Sequence, residues 1–396
     1  MVTTAYFRAG VTDKFDFYYS ADRSKMLVQY RKVPKVKSDA KNFDEIGLYV
    51  FDADMREIWG DEARMPYTEK KMNNIDYGVD GDGNAYILAT VFDDNTTRVK
   101  KKGSDDEPNY HIEMLKRTPL DKRLETSEIE LNGKFITSVS IYETVDDLMV
   151  LAGFYNNTAR GRNADGVFYA KLNKEGELYD EQSYSIPVEI MNQYESKRTQ
   201  KRNDKKEDKG EAEFTNLKLR KLQFLEDGSI ILIGEQYYIV THTSTTNGRT
   251  TTYYTYHYDD ILISKIDPAG ELAWMRKLPK SQYGKSGRGF MSFKHQYADG
   301  FHYFLYVDLA ENLELPFDQA PRTYGDGRQE QLTAYIVDDE RGEVTKEAIL
   351  DMSDVRGIKL YQFATHKIIM ISETEFLFES YKKKKEDVMV KISLKE

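Results

Sequence analysis

The segment Asp80-Gly81-Asp82-Gly83-Asn84 sets three oxygen-bearing side chains at alternate positions, the opening pattern of a calcium loop. An EF-hand loop also needs a bidentate glutamate at its twelfth position and helices on either side. Here Val91 stands at that position and strand-like segments flank the motif. The segment therefore reads as a tight turn, in which glycine supplies positive φ and Asp and Asn cap backbone amides, and Leu225–Ser229 is the equivalent turn further on. No metal site is expected. The histidines, His111, His242, His257, His295, His302 and His366, show no zinc spacing, lie in or near predicted strands and read as structural. The chain has no cysteine, no GxSxG elbow, no GxxxxGK[ST] or GxGxxG loop and no SxDxGxTW box. No cofactor is expected, and the linear signatures of the common hydrolases, NTPases and dinucleotide enzymes are missing. Carboxylates gathered around a central channel would leave no linear signature, so a glycan hydrolase or lyase remains the alternative to a binding function.

The most informative segment is Gly234–Ile263, GEQYYIVTHTSTTNGRTTTYYTYHYDDILI. Asn247-Gly248 at its centre is a strong two-residue hairpin signal, because both turn positions tolerate positive φ. Pairing outward sets Thr246 opposite Arg249, Thr241 opposite Tyr254, Ile239 opposite Tyr256 and Tyr237 opposite Tyr258. Side chains alternate between faces, so Tyr237, Ile239, Thr241, Tyr254, Tyr256 and Tyr258 share one surface and form the candidate binding stripe. His242, Tyr253, Tyr238 and His257 share the other. Arms of about eleven residues would reach roughly 35 Å and carry the tip away from the rest of the fold. Tyrosine gives rigid contact area at low entropic cost, which suits a protein or glycan partner. The competing reading packs the stripe against a neighbouring sheet.

The elements that must position this ribbon belong to an internal repeat. A unit of strand, tight polar turn, apolar strand, variable insert, third strand, short turn and fourth strand recurs about six times. The fold class expected is all-β, a β-propeller of about six four-stranded blades in a single domain, with blades near 14–68, 71–133, 134–187, 214–282, 289–352 and 358–396. The last unit is one strand short, and Thr3–Ala9 is strand-like and placed to close the ring. The large inserts fall between the second and third strands, at Val33–Asp44, Asp94–Asn109, Asn156–Asp165, Val240–Asp259 and Ala310–Gln331, with one charged inter-blade insertion at 188–213. In a propeller all of these emerge on one face. Within the charged insertion, SKRTQKRNDKKEDKG mixes seven basic with three acidic residues and no apolar one, so it reads as flexible chain or a solvated helix. The run Lys382–Lys385 reads as a hairpin tip.

A formal net charge of -10 argues against a nucleic-acid or anionic-membrane binder. No run approaches eighteen apolar residues, so direct membrane insertion is not expected, and the start lacks a signal-peptide layout.

The hairpin with its continuation to Gln282, together with LYVFDADMREIW and VDGDGNAYILATVF, resembles a family of uncharacterised Bacteroidota cell-envelope proteins. That resemblance implies a β-propeller at the periplasmic or outer-membrane surface, in relatives that carry a signal peptide and a longer N-terminal stretch. The expected function is a non-catalytic binding or scaffold protein that contacts a protein or glycan through one loop-rich face.

Overall fold

The computed structural model describes residues 15–393, apart from 35–37, 99–100, 102–107, 132, 145–147, 159–162, 174–175, 247–248, 286–290, 317, 326–329, 354, 356–359, 364, 373–374 and 383–385. The Thr3–Ala9 strand and the Asn247-Gly248 turn lie outside the described residues. The chain is all-β. The first sheet is β1 (Asp16–Tyr19), β2 (Lys25–Arg31), β3 (Phe43–Asp52) and β4 (Glu57–Thr68). The second is β5 (Met72–Val79), β6 (Ala85–Phe92), β7 (Tyr110–Arg117) and β8 (Glu125–Ile129). The third is β9 (Phe135–Glu143), β10 (Met149–Asn156), β11 (Gly166–Leu172) and β12 (Leu178–Ser185). Each of these is a four-stranded meander, and its neighbouring strands run antiparallel.

Helices α1 (Val188–Asn192) and α2 (Lys197–Glu207) form the charged insertion. The fourth sheet follows with β13 (Leu217–Phe224), β14 (Ile230–Thr246), β15 (Arg249–Ile266) and β16 (Leu272–Leu278), and β17 (Gln282–Gly284) adds to the outer part of β15. The fifth contains β18 (Lys294–Ala298), β19 (Phe301–Asp308), β21 (Gln331–Asp338) and β22 (Val344–Asp351). In its long loop β20 (Tyr324–Gly325) pairs parallel with β17. In the sixth, β23 (Leu360–Phe363) and β24 (Ile369–Met370) both pair with β25 (Glu375–Lys382), and β26 (Glu386–Ser393) takes the other edge of β25.

The chain divides into two compact units. One holds the three sheets up to Ser185 with Lys221–Leu232 and Ile266–Glu271; the other holds Ile186–Arg220, Ile233–Lys265 and the chain from Leu272 onward. In the first unit, sheets pack face to face. Ile87, Ala89 and Val91 of β6 meet Leu27, Ile46, Leu48 and Val50 of the first sheet. Tyr86 and Leu88, on the other face of β6, meet Val139, Ile141 and Leu151 of the third. Burial on both faces is why β6 reads as a continuous apolar run, AYILATVF, where a half-solvated strand would alternate. In the second unit Leu305, Val307 and Ala334 pack in the same way against Phe376 and Phe378.

Aromatic donors on fourth strands tie successive sheets together. Within the first unit Trp59 Nε1 donates to the Gly83 carbonyl at 2.8 Å and Tyr184 OH to the Gly270 carbonyl at 2.6 Å. Within the second, Trp274 Nε1 donates to the Asp339 carbonyl at 2.8 Å. Gly83 and Gly270 are the fourth positions of a five-residue turn, at 80–84 and 267–271, that recurs at 225–229, with φ +81, +89 and, at Gly228, +88. Asp52–Arg56 forms the same turn, but its fourth position is Met55 at φ +63, with the side chain largely exposed. A side chain there costs about 1 kcal/mol in the left-handed region and gains little packing. Met55→Gly is therefore expected to raise stability by roughly 0.5–1 kcal/mol in a urea titration, and an unchanged or lower midpoint would refute the assignment of strain.

Candidate functional site

Strands β14 and β15, of 17 and 18 residues, form one continuous hairpin in which the insert expected at Val240–Asp259 is folded into the arms. Burial grades along it. Ile230–Glu235 and Asp260–Ile266 are buried, and most of the residues nearer the turn are exposed. Tyr237 and Tyr258, opposite one another in the hairpin arithmetic, have ring centroids 4.9 Å apart. The Arg220 guanidinium caps both rings, 5.1 Å from Tyr237 and 5.8 Å from Tyr258. Tyr258 is only 6% exposed. Tyr256 is half-buried and opposes Gly284 of β17, whereas Ile239 and Tyr254 are each 49% exposed and Thr241 is also exposed. The stripe thus has an inner, core-like end at Tyr237 and Tyr258 and an outer, solvent-facing end at Ile239, Thr241 and Tyr254, with Tyr256 between them.

The opposite face carries a stacked ladder. His242 stacks on Tyr253 with centroids 4.6 Å apart, and His257 stacks on Tyr238, also at 4.6 Å. Thr255 Oγ1 links the two imidazoles, 2.9 Å from His242 Nε2 and 3.1 Å from His257 Nε2. Tyr283 lies beside His257 at 6.2 Å, and Lys285 Nζ stands 5.8 Å from the Tyr253 ring. The ladder fixes the ribbon while leaving Tyr253 45% exposed. Tyr258→Ala is expected to cost about 3–5 kcal/mol of folding stability, the scale of a large aromatic truncation, while Tyr254→Ala should stay within about 1 kcal/mol. Equal losses in thermal or urea melts would mean that the outer end is also core.

Below the hairpin lies an ionic network that the sequence did not reveal. Lys280 and Glu235 are fully buried; Nζ stands 2.9 Å from Glu235 Oε1 as an ion pair and donates to the Tyr258 carbonyl at 2.7 Å. Glu235 Oε2 accepts from Arg220 Nε at 2.8 Å and from Ser292 Oγ at 3.0 Å. Asp260 Oδ1 accepts the Lys280 backbone N–H at 2.9 Å, and Asp260 Oδ2 pairs with Lys277 Nζ at 2.8 Å. Lys277 also donates to Glu195 Oε1 and to the Met191 carbonyl, both at 3.1 Å, which ties the helical insertion to β16. Burial pushes the Glu195 and Asp259 carboxyls up. It pushes Asp308 up to about 7 against the bonds that Asp308 accepts from Asn312 and from the Leu309 amide.

In the first unit, a cavity of about 570 Å³ is lined by first strands of its sheets, through Tyr18, Tyr19, Asp76, Tyr77, Tyr142 and Glu143 among others. Burial raises the carboxyls of Asp76 and Glu143. Asp76 Oδ2 accepts from Ser140 Oγ and from the Ile141 amide, while Glu143 accepts the Gly81 amide at 2.6 Å and the Ala21 amide at 2.9 Å. Neither residue was singled out from the sequence, because these strands lie some sixty residues apart and meet only through sheet packing.

The Asp80 turn has the role read from its glycines. Asp80 Oδ1 accepts the Asn84 amide, and Oδ2 accepts Asn84 Nδ2 and Tyr86 OH, each at 2.7 Å, so its carboxylate is engaged by its own turn. Of the remaining histidines, His295 and His302 are buried 3.2 Å apart and His302 Nε2 lies 3.0 Å from Asp339 Oδ1, a packed polar chain between β18, β19 and the turn after β21.

These features define an all-β protein of four-stranded antiparallel sheets, one of them extended into a long aromatic hairpin over a buried ionic network. Among the described residues no helix is long and apolar enough to cross a membrane. No family model and no curated protein matches the chain. Among solved structures it is similar to a protein of unknown function from Dyadobacter fermentans DSM 18053, 7% identical over 96% of each chain with a TM-score of 0.39. It is also similar to a lignostilbene dioxygenase from Pseudomonas brassicacearum, 10% identical over 98% of this chain and 71% of that one, with a TM-score of 0.34. A third similar structure, RS223-Beta-xylosidase, is 9% identical over 82% of this chain and 93% of that one, with a TM-score of 0.27. Likenesses of this order carry no argument about reaction or ligand.

Proposed function

We propose that this chain is a non-catalytic binding module of the bacterial cell envelope, a propeller of about six blades that holds a protein or glycan partner through the outer half of the β14–β15 hairpin. One observation carries the reading: a single ribbon runs from a fully buried ionic anchor at Glu235 and Lys280 to exposed Ile239, Tyr253 and Tyr254. Stacked rings and the His242–Thr255–His257 bonds order that ribbon before any partner arrives, so little entropy is lost on binding. In the first three sheets and the fifth, the longest connection joins the two central strands, which supports a concentration of inserts on one face. Closure of the ring at the last blade by Thr3–Ala9 is part of this proposal.

A glycan hydrolase or lyase is the second reading, favoured by two carboxyls with raised pKa in the aromatic-lined cavity of the first unit. Backbone amides already occupy both oxygens of Glu143, and Ser140 and Ile141 hold Asp76, so these groups act first as structural acceptors. That ranks binding above catalysis. The test is retention of glycans and envelope proteins on immobilised wild type, Tyr253→Ala and Tyr254→Ala. A ligand lost from either variant by about tenfold or more, with an unchanged melting temperature, is the expected result. Equal retention by all three proteins would place the contact elsewhere. Release of reducing ends by wild type, lost in Asp76→Asn, would favour the enzyme.

A further inference from the structure

The residues of α2 are sorted by the helix in a way their mixed sequence hides. Gln200 Nε2 donates to the Asn192 and Glu195 carbonyls, Asn203 Nδ2 to Asn192 Oδ1, and Asp204 Oδ1 accepts from Asn192 Nδ2 at 2.7 Å. That side of the helix faces α1. Glu207 falls on the same side at helical spacing. Arg198, Lys201, Arg202 and Lys205 lie on the opposite side at i, i+3, i+4 and i+7, all exposed and with no acidic residue among them. With Lys197 and Thr199 they surround a hollow of about 700 Å³.

Like charges at these spacings repel and weaken a helix. The helix is held by other means: Ser196 Oγ caps the Thr199 amide at 3.2 Å, Gly210 at φ +66 closes the C-terminal end, and the polar bonds to α1 fix its inner side. Apart from the attraction between Arg202 and Glu195, the cationic face adds little to holding the helix and is suited to an anion from outside. Four cations along roughly 10 Å of helix axis match a chain of repeated anions better than a single ion. A membrane-surface helix needs an apolar face, and α2 buries no residue and has no apolar one. Binding of single-stranded nucleic acid relies on aromatic platforms, and α2 has none. Guanidinium forks match carboxylates in a bidentate manner.

We propose that the Arg198–Lys201–Arg202–Lys205 face of α2 is a binding site for a linear, carboxylate-bearing polysaccharide laid along the helix. This goes beyond the hairpin reading and does not rest on it. Because the whole chain carries a formal charge of -10, the attraction is local and falls off within about 10 Å at 0.1 M salt. The test titrates the full chain with polygalacturonate by calorimetry. Wild type should bind, with affinity falling at least about fivefold between 50 and 200 mM NaCl. The variant Arg198→Gln/Lys201→Gln/Arg202→Gln/Lys205→Gln should bind at least about tenfold more weakly. A control variant, Lys41→Gln/Lys122→Gln/Arg123→Gln/Lys367→Gln, also loses four exposed cations, so both go from -10 to -14. The control should stay within about twofold of wild type. Equal losses in the two quadruple variants, no binding by wild type, or tighter binding to phosphatidylglycerol vesicles or poly(dT) than to polygalacturonate would each overturn the proposal.

Discussion

Lys280→Met is expected to destabilise the protein by about 3–5 kcal/mol, the scale on which a buried ion pair fails when one partner is removed. The ammonium is fully buried, 2.9 Å from Glu235 Oε1, and the Tyr258 carbonyl accepts from it. Its charge also draws down the carboxyls of Asp259 and Asp308, which burial pushes up. Methionine fills much of the volume but leaves Glu235 to Arg220 and Ser292 alone. Urea unfolding measures the loss, and adding Glu235→Gln to Lys280→Met should recover at least about 1 kcal/mol by removing the stranded charge. A loss under about 1 kcal/mol in the single variant would mean that water reaches the pair. The hairpin should suffer with the anchor, because Tyr258 supplies both the buried end of the stripe and the carbonyl that holds Lys280.

The second large effect is a pH dependence centred on Asp308. Burial pushes this carboxyl from 3.8 up to about 7, so the folded chain binds the proton more tightly than the unfolded chain. Its contribution to stability is therefore complete below the unfolded value and is lost as pH rises from about 4 through 7. A three-unit shift corresponds to roughly 4 kcal/mol across that window. Asp308→Asn keeps an oxygen that can accept from the Leu309 amide and Asn312 Nδ2 while removing the titration. The variant and wild type should be about equally stable at pH 4, and the variant should be more stable at pH 8 by up to about 4 kcal/mol. A difference that does not change with pH would show that Asp308 is solvated.

Much of the local architecture is legible in the residues. Apolar runs punctuated by turns such as Asp80–Asn84 and Leu225–Ser229 specify antiparallel four-stranded sheets, because strand period and positive-φ turn positions are properties of a few consecutive residues. The same holds for the hairpin pairing. Once Asn247-Gly248 is taken as the turn, antiparallel arithmetic sets Tyr237 against Tyr258, Tyr238 against His257 and His242 against Tyr253, and these are the ring pairs in contact.

What tertiary structure alone decided is depth, and with it the meaning of each charge. Tyr258 and Tyr254 alternate onto one face with the same chemistry, yet one lies under Arg220 and the other in solvent, because Arg220 arrives from the preceding strand β13. Nothing in MRKLPKSQ marks Lys277 and Lys280 as buried; their burial depends on Glu235, Asp260 and Glu195, up to some eighty residues away. The Asp76 and Glu143 cavity likewise needs strands from three sheets to meet. A sequence specifies its strands through short-range periodicity. The desolvation that turns a carboxylate or an ammonium into a chemically distinctive group is a sum over distant neighbours, which no local pattern records.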